Sequence, residues 1–217
     1  MVKRVVKQPG DMQFKALITA QLDRDFAQHL PANLSHMTEP EKEKAAAAIL
    51  FRASDTLIQS LNLEPETEER LKRIDERRRR RSHIQARIMG PKRGLPKWEI
   101  DPEELRLFFS DFRDSLTEVT AAHPEFKIGQ DQHGEPLTAE IMLHEVNGAL
   151  LLIGSDEAPS IIDERFLASY CTVATKMHSI QLRDCLGDKT PEFIRRSRIV
   201  ATEYEKRLVS HPEYPNK

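Results

Sequence analysis

Apolar residues recur through most of this chain at intervals of three and four, the period of an amphipathic helix. The breaks between stripes carry proline, glycine or a capping residue. The first stripe is Phe14, Leu17, Ile18, Leu22, Phe26 and Leu30, with Asp11 as its N-cap and Pro31 as its stop. The second opens on the capping box Thr38-Glu39-Pro40-Glu41 and continues through Ala46, Ile49, Leu50, Ala53, Leu57 and Leu61. Past a glycine- and proline-rich stretch, Asp101, Pro102 and Glu104 open a helix with Leu105, Phe108, Phe109, Phe112, Leu116 and Val119 on one face, and its three phenylalanines should anchor the C-terminal core. Ser160 and Asp163 cap a long helix carrying Ile162, Phe166, Tyr170, Val173, Met177 and Ile180, which ends near Gly187. Thr190-Pro191-Glu192 begins the last helix, with Phe193, Val200, Tyr204 and Leu208 inward.

Two segments depart from this regularity. Between Ile141-Met142-Leu143 and Leu150-Leu151-Leu152-Ile153 lies Asn147-Gly148, a dipeptide that between apolar runs signals a tight hairpin. The same residues also suit a helix from Leu137 to Val146 that ends on Asn-Gly as a left-handed cap, so residues 137–153 read as hairpin or helix. The other departure is the third helix, which Glu64, Pro65, Glu66, Glu68 and Glu69 open with the negative charge a helix N-terminus favours. Its stripe begins at Leu71 and Ile74 and resumes at Ile84 and Ile88, but the turns between hold five consecutive arginines, Arg77 to Arg81. Unpaired guanidinium groups are very costly to bury, so the middle of this helix is expected to lie outside a core and to meet solvent, an acidic surface or phosphate. The helix is expected to end at Met89-Gly90.

Charge sharpens that anomaly. From Arg70 to Arg93 there are eleven basic residues and two acidic ones, a local charge of plus nine, whereas the whole chain is minus two. The rest therefore sums to minus eleven, and the window is a localised positive field on an acidic body. The composition, 39% hydrophobic and 31% charged, suits helices with one solvated face and a mainly α, bundle-like fold. Residues 1–89 read as an N-terminal helical region ending in the basic helix, residues 90–100 as a linker, and residues 101–217 as a C-terminal helical domain. No run of eighteen apolar residues occurs and Met1 to Gly10 is followed by no signal-like apolar block, which leads to the expectation of a cytoplasmic protein without membrane association. In a eukaryotic or viral source the arginine run would also serve as a nuclear-import signal. Cys171, His178 and Cys185 are seven residues apart on one helix, about 10 Å per step, too far for shared coordination.

Catalytic and cofactor motifs are missing: there is no Gly-x-Gly-x-x-Gly, Gly-x-Ser-x-Gly or His-Glu-x-x-His, and Gly187-Asp188-Lys189-Thr190 only imitates the end of a phosphate-binding loop. The expectation is a non-enzymatic protein without a cofactor. The basic residues point to an accessory subunit that binds the RNA or DNA backbone within a larger assembly. The candidate contacts are Arg73, Arg77, Arg78, Arg79, Arg80, Arg81, Arg87, Lys92, Arg93 and Trp98, with Arg195, Arg196 and Arg198 as a second cluster. Successive helical residues step by roughly 100 degrees, so five arginines in a row favour backbone contact over base readout. The competing reading is a helical adaptor or scaffold that binds protein partners, in which the basic run docks on carboxylates of this chain or of a partner.

Overall fold

The computed structural model describes residues 9–30, 36–89, 100–130, 134–155 and 162–210. Its elements are α1 (Pro9–His29), α2 (Glu39–Gln59), α3 (Pro65–Met89), α4 (Pro102–Ala122), β1 (Gly129–Gln130), β2 (Pro136–Leu137), α5 (Ala139–Leu152), α6 (Glu164–Leu186), a 3-10 turn (Gly187–Lys189) and α7 (Thr190–Ser210). The protein is mainly α, with one small antiparallel pair of strands. It divides into two compact units: Met1–Glu69 together with Leu186–Lys217, and Arg70–Cys185. The first unit therefore joins segments from both sides of the second. Of the expected linker, residues 90–99 lie outside the described residues.

In the first unit α1, α2 and α7 pack on one another. Their buried faces are the expected stripes: Phe14, Ile18, Leu22, Phe26 and Leu30 from α1, Ile49, Ala53, Leu57 and Leu61 from α2, and Phe193, Val200 and Tyr204 from α7. Leu17 is the exception on α1, about half exposed. Thr38 begins α2 as a capping box, its backbone N–H and its hydroxyl both donating to Glu41 Oε2 at 2.8 Å. Asn62, at φ 48°, turns the chain out of the end of α2, and Lys189 Nζ donates to the Leu61 and Asn62 carbonyls there, each at 3.1 Å. Buried Glu203 accepts from Lys206 and Arg207 and pairs with Lys15; burial alone would raise its pKa, but these cations outweigh it and hold the carboxyl down at about 2.

The second unit has a core of α4, α5 and α6 side chains that also takes in Ile84 from α3. Asp101 caps α4 by accepting from Glu103 N at 2.9 Å, and Asp163 Oδ1 accepts from Phe166 N at 2.8 Å at the start of α6. Ser160, the other expected cap, lies outside the described residues. The stripe Leu105, Phe108, Phe109, Phe112, Leu116 and Val119 is buried throughout. Phe109 stands edge-on to Tyr170 at 5.5 Å, and Phe112 lies 4.8 Å from the same ring. Helix α6 stops as expected at Gly187, whose φ of 50° is left-handed.

Residues 139–152 take the helical alternative, and the strands are Gly129–Gln130 and Pro136–Leu137, immediately upstream. Asn147-Gly148 is neither a hairpin turn nor a helix end, because α5 continues through it to Leu152. The physical reason is packing. Thr138 caps the helix by accepting from Ile141 N, and Met142, Val146 and Ala149 then form one buried face against α4, with Ile153 continuing it. A strand's alternation would split those side chains between two faces.

Candidate functional site: the arginine run

Helix α3 turns its five consecutive arginines in several directions, and each meets an acceptor. Arg77 reaches α4, donating from Nη1 and Nη2 to Glu118 at 3.0 and 3.2 Å and to Ser115 Oγ at 3.4 Å. Arg80, three residues on and so on the same side, grips Asp111 with Nε to Oδ2 at 2.6 Å and Nη2 to Oδ1 at 3.0 Å. Arg78 and Arg79 fold back along their own helix to Asp75, Nε of the first on Oδ1 at 2.9 Å and Nε of the second on Oδ2 at 2.8 Å. Asp75 is only 2% exposed; two guanidinium groups on its two oxygens make that burial tolerable. Arg81 points across to α6, where Nη1 donates to the Ala174 carbonyl at 2.8 Å.

The expectation that the middle of α3 stays out of a core fails at Asp75 and Arg81. Arg81 is 8% exposed, between Ile74 and Ile84 in the stripe. No carboxylate lies within ion-pair distance of it among the described residues, and its Nε is buried without a hydrogen-bond partner. Burial pushes its pKa down to about 10, so it still carries its charge at neutral pH. His178, on the same α6 face one turn beyond Ala174, is lowered to about 4 by burial and then by the charges of Arg81 and Arg78, and is neutral at pH 7. Between these side chains lies a cavity of about 20 Å³, lined by Arg77, Arg78, Arg81, Asp111, Ser115 and His178 among others.

The remaining candidate residues are scattered. Arg73 and Arg87 are exposed on α3, where Arg87 Nε donates to His83 Nε2 at 3.1 Å. Lys92, Arg93 and Trp98 lie outside the described residues. Arg195, Arg196 and Arg198 belong to the first unit. There Arg195 pairs with Asp11 at 2.9 Å, and Arg196 donates to the Ser60 carbonyl and hydroxyl, each at 2.7 Å, while stacking over Phe14. Arg198 is exposed.

Sequence reading missed the acceptors: Asp75, Asp111, Glu118 and the Ala174 carbonyl. A signal for two of them was available. Glu104, Asp111 and Glu118 recur every seven residues along α4, which places them on one helical line. That line meets α3 in reverse order: Glu104 is 3.8 Å from His83, Asp111 is held by Arg80, and Glu118 by Arg77. Gln181 of α6 joins the same junction by donating to Glu118 Oε2 at 2.7 Å.

Other titratable side chains of the second unit are also paired or buried. His123 has Asp184 at 2.8 Å from Nε2 and Glu125 at 3.5 Å from Nδ1, so both ring nitrogens face carboxylates. Its pKa is raised, first by the Asp184 bond. The Cys171 thiol is pushed up to about 11 by burial, and the Tyr170 hydroxyl is raised by burial and by its bond to Glu145 at 2.8 Å. Among the described residues no group of three His, Cys, Asp or Glu could hold a metal ion, and no helix is long and apolar enough to cross a membrane.

The fold and this cluster together define a mainly helical protein whose arginine run is tied into its own framework by α4 and α6. No protein-family model, no curated protein and no solved structure matches the chain.

Proposed function

We propose that this chain is a non-enzymatic helical adaptor, a subunit that binds protein partners within a larger assembly. The observation that carries the reading is the engagement of Arg77 to Arg81 by acceptors in their own unit. The positive field of α3 has acceptors within its own unit, and breaking charge-assisted, partly buried bonds to reach phosphate would cost several of them at once. The second unit also offers apolar side chains outward. Leu151 on α5 is 86% exposed and Leu107 on α4 is 44% exposed. Arg106 Nη2 donates to the Ile153 carbonyl at 2.9 Å, which places Leu107 and Leu151 at the same end of the α4–α5 pair. Exposed leucines are side chains that a partner protein covers favourably.

Affinity purification of the full chain tests this. A stoichiometric protein partner that survives nuclease and high salt, and that is lost when Leu107 and Leu151 are both changed to aspartate without loss of thermal stability, is the expected result. Copurifying nuclease-sensitive material with no protein partner overturns it.

The second reading, an accessory protein on the RNA or DNA backbone, draws on the basic side chains that stay accessible: exposed Arg73, Arg87 and Arg198, and Arg78 and Arg80, whose side chains are 37% and 35% exposed. Substituting Arg77 or Arg80 perturbs folding and phosphate affinity together, so the discriminating variants are Arg73→Gln and Arg87→Gln. On this reading each weakens nucleic-acid binding and lowers its salt dependence. Absence of salt-sensitive binding by the unaltered protein removes the reading.

A further inference from the structure

We infer that the outward face of α5 is a self-association surface, on which α5 of a second copy of this chain lies antiparallel about a two-fold axis. The inference rests on the adaptor reading and names what covers Leu151. Helix α5 is apolar on both sides. Met142, Val146 and Ala149 fill its inward face, yet Ile141 is 46% exposed on the other and Leu151 stands out further still. Between them His144 is exposed, and at Gly148 a Cβ would meet no atom within 4 Å, so the surface has an open step there.

Ile141, His144, Gly148 and Leu151 are spaced by three, four and three residues, the seam along which two helices pack at a shallow angle. That spacing is the same in both directions. Two antiparallel copies centred at Val146 therefore set Ile141 of each against Leu151 of the other, and His144 of each against Gly148 of the other. Aliphatic meets aliphatic, and the imidazole fills the space that the glycine leaves. An isologous interface demands this kind of self-complementarity. A parallel pair would instead set histidine on histidine and glycine on glycine. Charge selects the same partner and the same direction. Helix α5 has no lysine or arginine, and Glu140 in its first turn is exposed and makes no ion pair among the described residues. At the other end of the helix, the exposed Arg106 side chain donates from Nη2 to the Ile153 carbonyl at 2.9 Å. Antiparallel pairing brings Arg106 of each copy to Glu140 of the other and sets the C-terminal end of one helix dipole beside the N-terminal end of its mate. A polyanion finds no cation on this helix. One helix of 14 residues, about 21 Å long, is a small interface, so the dimer is weak and reversible.

Sedimentation equilibrium of the full chain from about 1 µM to about 1 mM tests this, the range in which an interface of that size dissociates. The unaltered protein should pass from monomer to dimer across it. Leu151→Asp, at a side chain exposed in the monomer, should raise the dissociation constant about tenfold or more with thermal stability unchanged. Glu140→Arg and Arg106→Glu should each raise it about fivefold, and an equimolar mixture of these two variants should recover the unaltered value, because both contacts across a mixed dimer are again opposite in charge. Loss of the Arg106 bond to Ile153 alone could not produce that recovery. A monomer throughout the range, a dimer indifferent to Leu151→Asp, or a mixture no tighter than its parts overturns the inference. A different protein retained through Leu107 and Leu151 by a chain that stays monomeric overturns it and upholds the adaptor reading, so the two fail separately.

Discussion

At the scale of single residues, exposure separates ion pairs that hold this protein together from those that only decorate it. Asp111 has a side chain 19% exposed and is gripped through two hydrogen bonds, whereas Glu118 is 54% exposed at its contact with Arg77. Asp111→Asn should therefore destabilise the protein by about 1–3 kcal/mol, because it leaves a partly buried guanidinium short of its acceptor. Glu118→Gln should cost less than about 1 kcal/mol. Urea unfolding of the two variants checks the order, and a larger loss for Glu118→Gln would contradict it. Two titrating groups behave oppositely. Glu203 is depressed, so its contribution to stability is present above the ordinary carboxylate pKa and is lost as pH falls through about 2; Glu203→Gln should flatten the acid limb of the stability profile. His123 is raised, so its contribution is present below its unfolded pKa and fades as pH rises through the folded one. Its imidazole should titrate above 6.5 by NMR and move back toward that value in Asp184→Asn; a titration at or below 6.5 in the unaltered protein would refute the pairing.

At the scale of elements, helices were legible wherever caps and apolar spacing agreed. Asp101 and the phenylalanine stripe fixed α4, and Thr38 with Glu41 fixed the start of α2, because cap and burial are both local properties of the sequence. Segment 139–152 was not legible in the same way. Its apolar runs suit either period, and the choice is made by α4, whose surface accepts Met142, Val146 and Ala149 together. The arginine run illustrates the same limit from the other side. Its charge was plain in the sequence, but the acceptors of Arg77 and Arg80 lie on α4, roughly thirty to forty residues away, and their seven-residue recurrence gains meaning only once α3 is laid against them. Helix α5 carries a glycine at an interior position where a Cβ would meet no atom within 4 Å. Gly148→Ala should thus stabilise the protein by about 0.5–1 kcal/mol, read as a higher urea midpoint with unchanged slope; destabilisation would mean that the glycine serves a close approach.

At the scale of the whole molecule, the two units have separate cores, and substitutions in them should be separable. Phe109, fully buried at the centre of the aromatic cluster with Tyr170, belongs to one, and Leu22, equally buried on α1, belongs to the other. Phe109→Ala should cost about 3–5 kcal/mol and Leu22→Ala about 2–5 kcal/mol. In hydrogen exchange each should deprotect chiefly the amides of its own unit. Uniform deprotection by both would show that the units open as one.

The first unit is made of the chain's two flanks. Helices α1 and α2 are synthesised early, but the face they present to α7 stays uncovered until residues 190–210 have been made. The second unit is continuous in sequence, so every side chain it needs is available before α7 exists. Assembly on the ribosome is thus ordered in time: the inner unit can complete itself first, and in doing so it draws the flanks from a separation of more than a hundred residues to a far shorter effective loop. Until then Phe26, which packs on Tyr204 of α7, belongs to a temporary apolar surface, and a chain stalled before α7 would carry that surface into the cell uncovered.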